Sequence, residues 1–120
     1  MAEILVLDDV VDAGIMIKKI LSRKGHNVHT FTEEEEAIDF AASRKVDCAI
    51  LDIKLKKMTG IEVLEEIKKL NKDIKTIMLT GYPTIETARQ ALSLGANEYC
   101  VKPIEKQELE EKVTSLLEKQ

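Results

Sequence analysis

The stretch Ile4-Leu5-Val6-Leu7-Asp8-Asp9 decides the fold: four aliphatic residues run directly into two adjacent aspartates. An unpaired carboxylate is costly to bury, so a core strand ending in two of them must end at an edge where something balances their charge. Three later apolar runs end in the same manner. Ala49-Ile50-Leu51 stops at Asp52, Ile77-Met78-Leu79 at Thr80, and Tyr99-Cys100-Val101 at Lys102.

Between these runs lie segments of helical pattern. Strand-like stretches at 4–7, 28–31, 46–51, 74–79 and 97–101 alternate with helical stretches at about 12–24, 33–44, 61–70, 84–94 and 105–118. Such alternation, without linker, repeat or low-complexity segment, predicts an α/β domain: a parallel sheet covered by helices on both faces. Local signals agree. Thr32 and Glu35 have the spacing of a capping box, and Gly25 and Gly95 stand where helices must stop. The acidic run Glu33–Glu36 suits the solvated start of a helix better than a metal site. In the first helix, at about 100° per residue, Ala13, Ile17, Ile20 and Leu21 form the expected core stripe. Ile15 falls nearly opposite, beside Lys18, Lys19 and Ser22.

Composition narrows the class. The 120 residues are 44% hydrophobic and 33% charged, with a formal net charge of −4, which fits a globular domain and argues against a general nucleic-acid surface. No apolar run approaches the roughly 18 residues of a membrane span, and the first residues lack the pattern of a secretory signal. Cys48 and Cys100 sit in apolar strand-like runs without metal-ligand spacing, as expected of reduced core thiols in a cytoplasmic protein. His26 and His29, flanking Asn27 and Val28, read as ordinary strand residues.

In an open parallel sheet, ligands bind at the carboxyl ends of the strands, near the point where strand order reverses. Four strand ends here bring Asp8, Asp9, Asp52, Thr80 and Lys102 to one edge. Three carboxylates against one ammonium leave two negative charges, the complement of one divalent cation. Hard oxygen donors without His or Cys suit Mg²⁺. Asp52 stands alone at its strand end and can act as a nucleophile toward a phosphoryl group, giving an aspartyl phosphate. The cation and Lys102 would neutralise the phosphoryl oxygens, and Thr80 could donate a hydrogen bond to one of them.

These motifs together resemble the response-regulator receiver domains of two-component signalling. The residues carrying the resemblance are Leu7-Asp8-Asp9, Ile50-Leu51-Asp52, Met58-Thr59-Gly60, Leu79-Thr80-Gly81 and Tyr99-Cys100-Val101-Lys102-Pro103. The likeness extends over essentially the whole chain, so residues 1–120 are expected to form one receiver domain. It implies a doubly wound, flavodoxin-like sheet of order 2-1-3-4-5 with five helices. By the resemblance, Asp52 is the phosphoacceptor, Asp9 a direct Mg²⁺ ligand, Asp8 a ligand acting largely through water, and the Lys54 carbonyl a further ligand. Thr80 and Tyr99 would form the switch pair, Lys102 the phosphate partner, and the bond before Pro103 is often cis in the family. The implied partner is a sensor histidine kinase or histidine phosphotransfer protein meeting the first helix, where Gly14, Ile15 and Lys18 are the candidate docking residues. The signal would leave through the fourth helix, fifth strand and fifth helix, with dimerisation on phosphorylation left open. No direct nucleic-acid or membrane contact is implied.

The chain also departs from the family pattern. The usual Leu-Pro-Gly-Met-Asp-Gly after the phosphoacceptor is here Leu55-Lys56-Lys57-Met58-Thr59-Gly60, a loop expected to be more mobile and basic enough to steer an anionic donor. A third acidic position is taken by Val10. Lys54 and Tyr82, two residues beyond Asp52 and Thr80, are the side chains expected to govern water access to a phosphoryl group. Two alternatives stay open at this point, a receiver used only for docking and a Mg²⁺-dependent phosphatase. The second is disfavoured because Lys54 occupies the place of its general acid. A nucleotide-binding domain would need a Gly-rich phosphate loop, which the sequence lacks. The output, the kinase, and whether the chain stands alone or belongs to a longer regulator are not written in the sequence.

Overall fold

The computed structural model describes residues 1–55 and 58–118. Five strands, β1 (Glu3–Leu7), β2 (Asn27–Phe31), β3 (Cys48–Asp52), β4 (Lys75–Thr80) and β5 (Glu98–Val101), alternate with five helices. The helices are α1 (Val11–Ser22), α2 (Glu34–Ser43), α3 (Gly60–Leu70), α4 (Ile85–Ser93) and α5 (Lys106–Glu118). All strand pairs are parallel, in the order β2-β1-β3-β4-β5 expected for a flavodoxin-like sheet. Strand order reverses between β1 and β3, which places the carboxyl ends of those two strands side by side.

Side chains alternate across the sheet, and the core divides accordingly. Leu5, Leu7, Ala49, Leu51 and Met78 face α2, α3 and α4, burying Ala37, Val63, Leu64, Ile67 and Ala91. Ile4, Val6, Ile50, Ile77 and Leu79 face α1 and α5, burying Ile17, Leu21, Leu109 and Val113. Near-continuous aliphatic strands are what a sheet covered on both faces requires. Gly25 and Gly95 adopt positive φ, +88° and +97°, just beyond α1 and α4, so both helix stops fall where the sequence put them.

Three local expectations are corrected. The capping box does not form at Thr32 and Glu35, because α2 begins at Glu34 and its N-cap, Glu33, makes no side-chain bond. The same Thr-x-x-Glu spacing closes instead at α3, where Thr59 N–H donates to Glu62 Oε1 at 3.0 Å and Glu62 N–H to Thr59 Oγ1 at 3.2 Å. The acidic run is not uniformly solvated. Glu34 is only 1% exposed, and its Oε2 accepts from the backbone N–H of Met58 at 2.9 Å, tying α2 to the β3–α3 loop. Third, the buried stripe of α1 is Gly14, Ile17 and Leu21, with Ala13 and Ile20 half-buried. A Cβ on Gly14 would stand 3.5 Å from Thr30 Cβ, so Gly14 packs on β2 and is not part of an exposed docking surface with Ile15 and Lys18. Lys56 and Lys57, on which the expectation of a mobile basic loop rests, lie outside the described residues.

Candidate functional site

Asp8 follows β1 and Asp52 ends β3, so both carboxylates leave the sheet at its reversal point. Thr80 ends β4, paired with Val101, and Lys102 follows β5, its N–H donating to Thr80 O at 2.8 Å. The parallel register thus brings residues up to 94 positions apart to one edge. The Lys102–Pro103 peptide is cis, in agreement with the family habit.

The charges at this edge are paired. Lys102 Nζ donates to Asp8 Oδ2 at 2.7 Å and to Asp52 Oδ2 at 3.2 Å. The second oxygen of each carboxylate accepts a backbone N–H: Val10 to Asp8 Oδ1 at 2.9 Å, and Lys54 to Asp52 Oδ1 at 3.3 Å. Burial pushes the Asp52 carboxyl above its ordinary range, opposed by the Lys102 charge and reinforced by that of Asp8. Burial by itself would lower Lys102, but its hydrogen bond to Asp8 and the charge of Asp52 outweigh it and hold the ammonium above its usual value. At neutral pH Lys102 is therefore a fixed cation.

Carboxylate oxygens of Asp8, Asp9 and Asp52 all lie within 4.8 Å of one another, and among the described residues this is the one group of three acidic, His or Cys side chains close enough to hold a metal ion. The donor set is all carboxylate, which fits a hard divalent cation.

Around Asp52 the pocket is walled by Asp9, Val10, Lys54, Leu55, Gly81, Tyr82 and Lys102. Lys54 Nζ lies 4.2 Å from the centroid of the Tyr82 ring, a cation–π contact across the pocket mouth. Thr80 is fully buried, and its Oγ1 accepts the Tyr82 N–H at 3.0 Å. Tyr99, half-buried on β5, turns toward α4 and bonds Thr87 Oγ1 at 2.7 Å. All the predicted metal, nucleophile and phosphate-facing side chains thus meet at one edge. Tyr99 is one strand further out, and Ile15 and Lys18 lie exposed on α1.

Sequence reasoning missed one contributor. Gly60, the first residue of α3, is packed against the backbone of Asp52, and a Cβ there would overlap the Asp52 carbonyl oxygen. Its N–H donates to Ile53 O at 2.7 Å. The signal was present as the glycine of Met58-Thr59-Gly60, but a linear motif does not say which backbone the glycine approaches.

An edge of this kind, a carboxylate pocket at the reversal point of a doubly wound parallel sheet with a lysine bridging two aspartates, defines a class of α/β domains whose acidic pocket can hold a cation. The family follows from comparison: the sequence profile described as "Response regulator receiver domain" matches residues 4–114, and the chain belongs to that family. The transcriptional regulatory protein ZraR of Escherichia coli O157:H7 is 34% identical over 103 residues, which are 86% of this chain and 23% of ZraR. The chain therefore spans about a quarter of the length of that relative. The sporulation initiation phosphotransferase F of Bacillus subtilis (strain 168) is 26% identical, with 96% of this chain and 93% of the relative covered. Among solved structures, a CheY-like receiver domain protein from Methanospirillum hungatei JF-1 superposes with a TM-score of 0.95 at 33% identity, covering 98% of this chain and 94% of the other. The response regulator TrrA of Thermotoga maritima, solved in complex with Mg(2+)-BeF, gives a TM-score of 0.88 at 37% identity, covering 97% and 99%.

Proposed function

We propose that this protein is a phosphorylation-controlled switch in which Asp52 accepts a phosphoryl group from the histidine of a kinase or phosphotransfer protein, in a Mg²⁺-dependent reaction that the receiver itself catalyses. The observation that carries the reading is the arrangement of Asp52: a nearly buried carboxylate that keeps one oxygen on Lys102, one on the Lys54 N–H, and an open pocket in front. Asp52 Oδ would attack phosphorus and displace the donor imidazole, which leaves with the bonding electron pair. Lys102 stands where it can meet a phosphoryl oxygen as Asp52 loses its negative charge. Asp8 and Asp9, with the Lys54 carbonyl by family resemblance, would hold Mg²⁺; when bound, that ion supplies charge neutralisation at the phosphoryl oxygens. The domain of residues 1–120 is read as a phosphoacceptor rather than a turnover enzyme, working in the cytoplasm.

Thr80 would turn its hydroxyl from the Tyr82 N–H toward the new phosphoryl oxygens. Tyr99 would then change position, altering the α4–β5–α5 face where Ile85, Leu92 and Val101 are exposed. The phosphodonor would dock on α1, whose N-terminal half exposes Val11, Ile15 and Met16 beside Lys18 and Lys19. An apolar strip rimmed by lysines suits a helical donor of negative charge.

The test is incubation with acetyl phosphate and Mg²⁺, read by intact mass. One added phosphoryl group, lost in Asp52→Asn and in EDTA, is expected. Unchanged labelling in EDTA or in Asp52→Asn rejects the proposal, and so does continuous turnover of a phosphate ester.

A further inference from the structure

Tyr99 reaches from β5 to the first turn of α4 and meets hydroxyl groups there. Its Oη lies 2.7 Å from Thr87 Oγ1 and accepts a longer bond, 3.4 Å, from the Thr84 N–H. Thr84 is the N-cap of α4, and its Oγ1 accepts the Thr87 N–H at 3.0 Å. Thr87 Oγ1 is also 3.2 Å from the Thr84 carbonyl oxygen, toward which it can only donate, and 2.9 Å from Thr84 Oγ1. A hydroxyl carries one proton and two acceptor positions. Once Thr87 gives its proton to the Thr84 carbonyl, the hydroxyls of Tyr99 and Thr84 both donate to Thr87 Oγ1. This one arrangement of protons satisfies every group in the cluster, and Tyr99 makes the shortest bond in it.

The helix so held has little else to hold it. α4 spans nine residues, and Ala91 is its one fully buried side chain. Short helices with a narrow packed face depend on their caps. We infer that Thr87 is a positioning residue for the switch: it ties the Tyr99 hydroxyl to the N-cap of α4, so that Tyr99 cannot move without loosening the first turn of that helix. The inference rests on the reading of Thr80 and Tyr99 as the coupled pair and adds to it a named route into α4. Displacing Tyr99 takes from Thr87 its shortest partner and from the Thr84 N–H its acceptor. Motion of one ring and release of one helix turn then become a single event.

The experiment uses the full chain with ring-¹³C-labelled tyrosine, and the exposed Tyr82 serves as internal reference. Amide exchange is followed at Thr87 and Ala88, whose N–H groups bond Thr84 Oγ1 and Thr84 O. In unphosphorylated protein, Thr87→Val is expected to shift the Tyr99 ring signals and not those of Tyr82. Thr87→Val and Tyr99→Phe should each speed exchange at the two amides several-fold, and the double variant should be no faster than the singles, because both remove the same contact. Thr87→Ser, which keeps the hydroxyl, should return the wild-type signals, an outcome that mere perturbation of helix packing would not give. Unchanged Tyr99 signals and exchange in Thr87→Val overturn the inference, as does an additive double variant. After treatment with Mg²⁺ and acetyl phosphate, wild-type Tyr99 signals and the Thr87 amide should change together, and in Thr87→Val the amide should no longer follow the ring; an amide that still follows overturns the route. Absence of added mass at Asp52 would count against the phosphoacceptor reading alone, since the tether is measured without it.

Discussion

Lys102 is held 2.7 Å from Asp8 and 3.2 Å from Asp52, so the lysine sits closer to the carboxylate proposed as a metal ligand than to the one proposed as the nucleophile. Each aspartate is almost wholly buried, and the one ammonium supplies an opposite charge to both. The lysine and a divalent cation would therefore compete to neutralise the same carboxylates. Replacing it with Met should raise the affinity for Mg²⁺, by about tenfold or ~1.4 kcal/mol, while slowing phosphorylation of Asp52. Without Mg²⁺ the variant should lose about 1–3 kcal/mol of stability from uncompensated carboxylates. Calorimetric titration with Mg²⁺ and denaturant unfolding in EDTA measure the two effects. Weaker Mg²⁺ binding in Lys102→Met would reverse the sign of the argument.

In the proposed switch Thr80 would link chemistry to response, and its buried hydroxyl accepts the Tyr82 N–H. A phosphoryl group on Asp52 offers it a charged acceptor, a bond of roughly 1.5–3 kcal/mol, enough for about a ten- to hundredfold shift between two states. Thr80→Ala should still be labelled on Asp52, yet the NMR shifts of β5 and α5 that follow labelling in the wild type should be absent. Normal shifts there would mean that the signal takes another path.

Two glycines that look alike in the sequence should respond oppositely to alanine. A Cβ at Gly60 would run into the Asp52 backbone, whereas one at Gly14 makes ordinary contact with Thr30. Gly60→Ala should cost about 1–3 kcal/mol, as overpacking does, and should lower the phosphorylation rate by displacing Asp52. Gly14→Ala should be neutral or stabilise by up to about 1 kcal/mol through helix propensity. Chemical denaturation of both variants, with acetyl phosphate labelling, decides the matter.

The contrast between these glycines marks the limit of what the sequence discloses. The sheet was legible because β1, β3 and β4 are uninterrupted aliphatic runs closed by polar residues, and the pocket was legible because a parallel sheet collects such ends at one edge. Glu34 was not, because four consecutive glutamates look equivalent until the Met58 N–H arrives from 24 residues away to single one out. Gly14 was misassigned by one step around the helix, a turn that depends on how closely α1 lies over Thr30. The Thr59–Glu62 box and the unformed box at Thr32 share one pattern, and they differ in where the helix begins: α3 starts directly after Thr59, whereas α2 starts at Glu34 with Glu33 as its N-cap.

Cys48 illustrates how burial controls reactivity: its thiol is pushed up to about 12, first by burial and further by the Asp47 charge, and Cys100 is raised as well, mainly by burial. Reaction with thiol reagents follows the thiolate, so Cys48 should be inert in the native protein near neutral pH and react once it is denatured. The folded state keeps the Cys48 proton longer than the unfolded chain does, so this group's contribution to stability is complete below the ordinary thiol value of 9.0 and is lost as pH rises toward about 12. Thiol titration with and without denaturant, and unfolding midpoints on either side of pH 9.0 compared with Cys48→Ala, test both halves. Rapid native-state labelling of Cys48 would contradict the burial argument.

The lifetime of the phosphorylated state depends on water. Hydrolysis would require a water opposite the Asp52–phosphorus bond; Lys54 and Tyr82 both line the pocket in front of Asp52 and are the side chains proposed to guard that approach. Neither can act as a base toward it, because charged lysine has donors only and the tyrosine ring presents an apolar face. Their cation–π contact, 4.2 Å from ammonium to ring centroid, is worth about 0.5–1 kcal/mol in an exposed place, and Tyr82 is 67% exposed. That is a weak latch, but it lies over the pocket, and Pro83 restrains the Tyr82 backbone to extended conformations. Opening such a latch should speed hydrolysis by no more than about fivefold, the factor that ~1 kcal/mol allows. Lys54→Asn should exceed this bound, because its amide can also orient a water. The decay of phosphorylated protein, followed by intact mass after removal of acetyl phosphate, should therefore be ordered wild type, then Tyr82→Ala, then Lys54→Asn as the fastest. Equal or slower decay in both variants would mean that the pair does not guard the phosphoryl group.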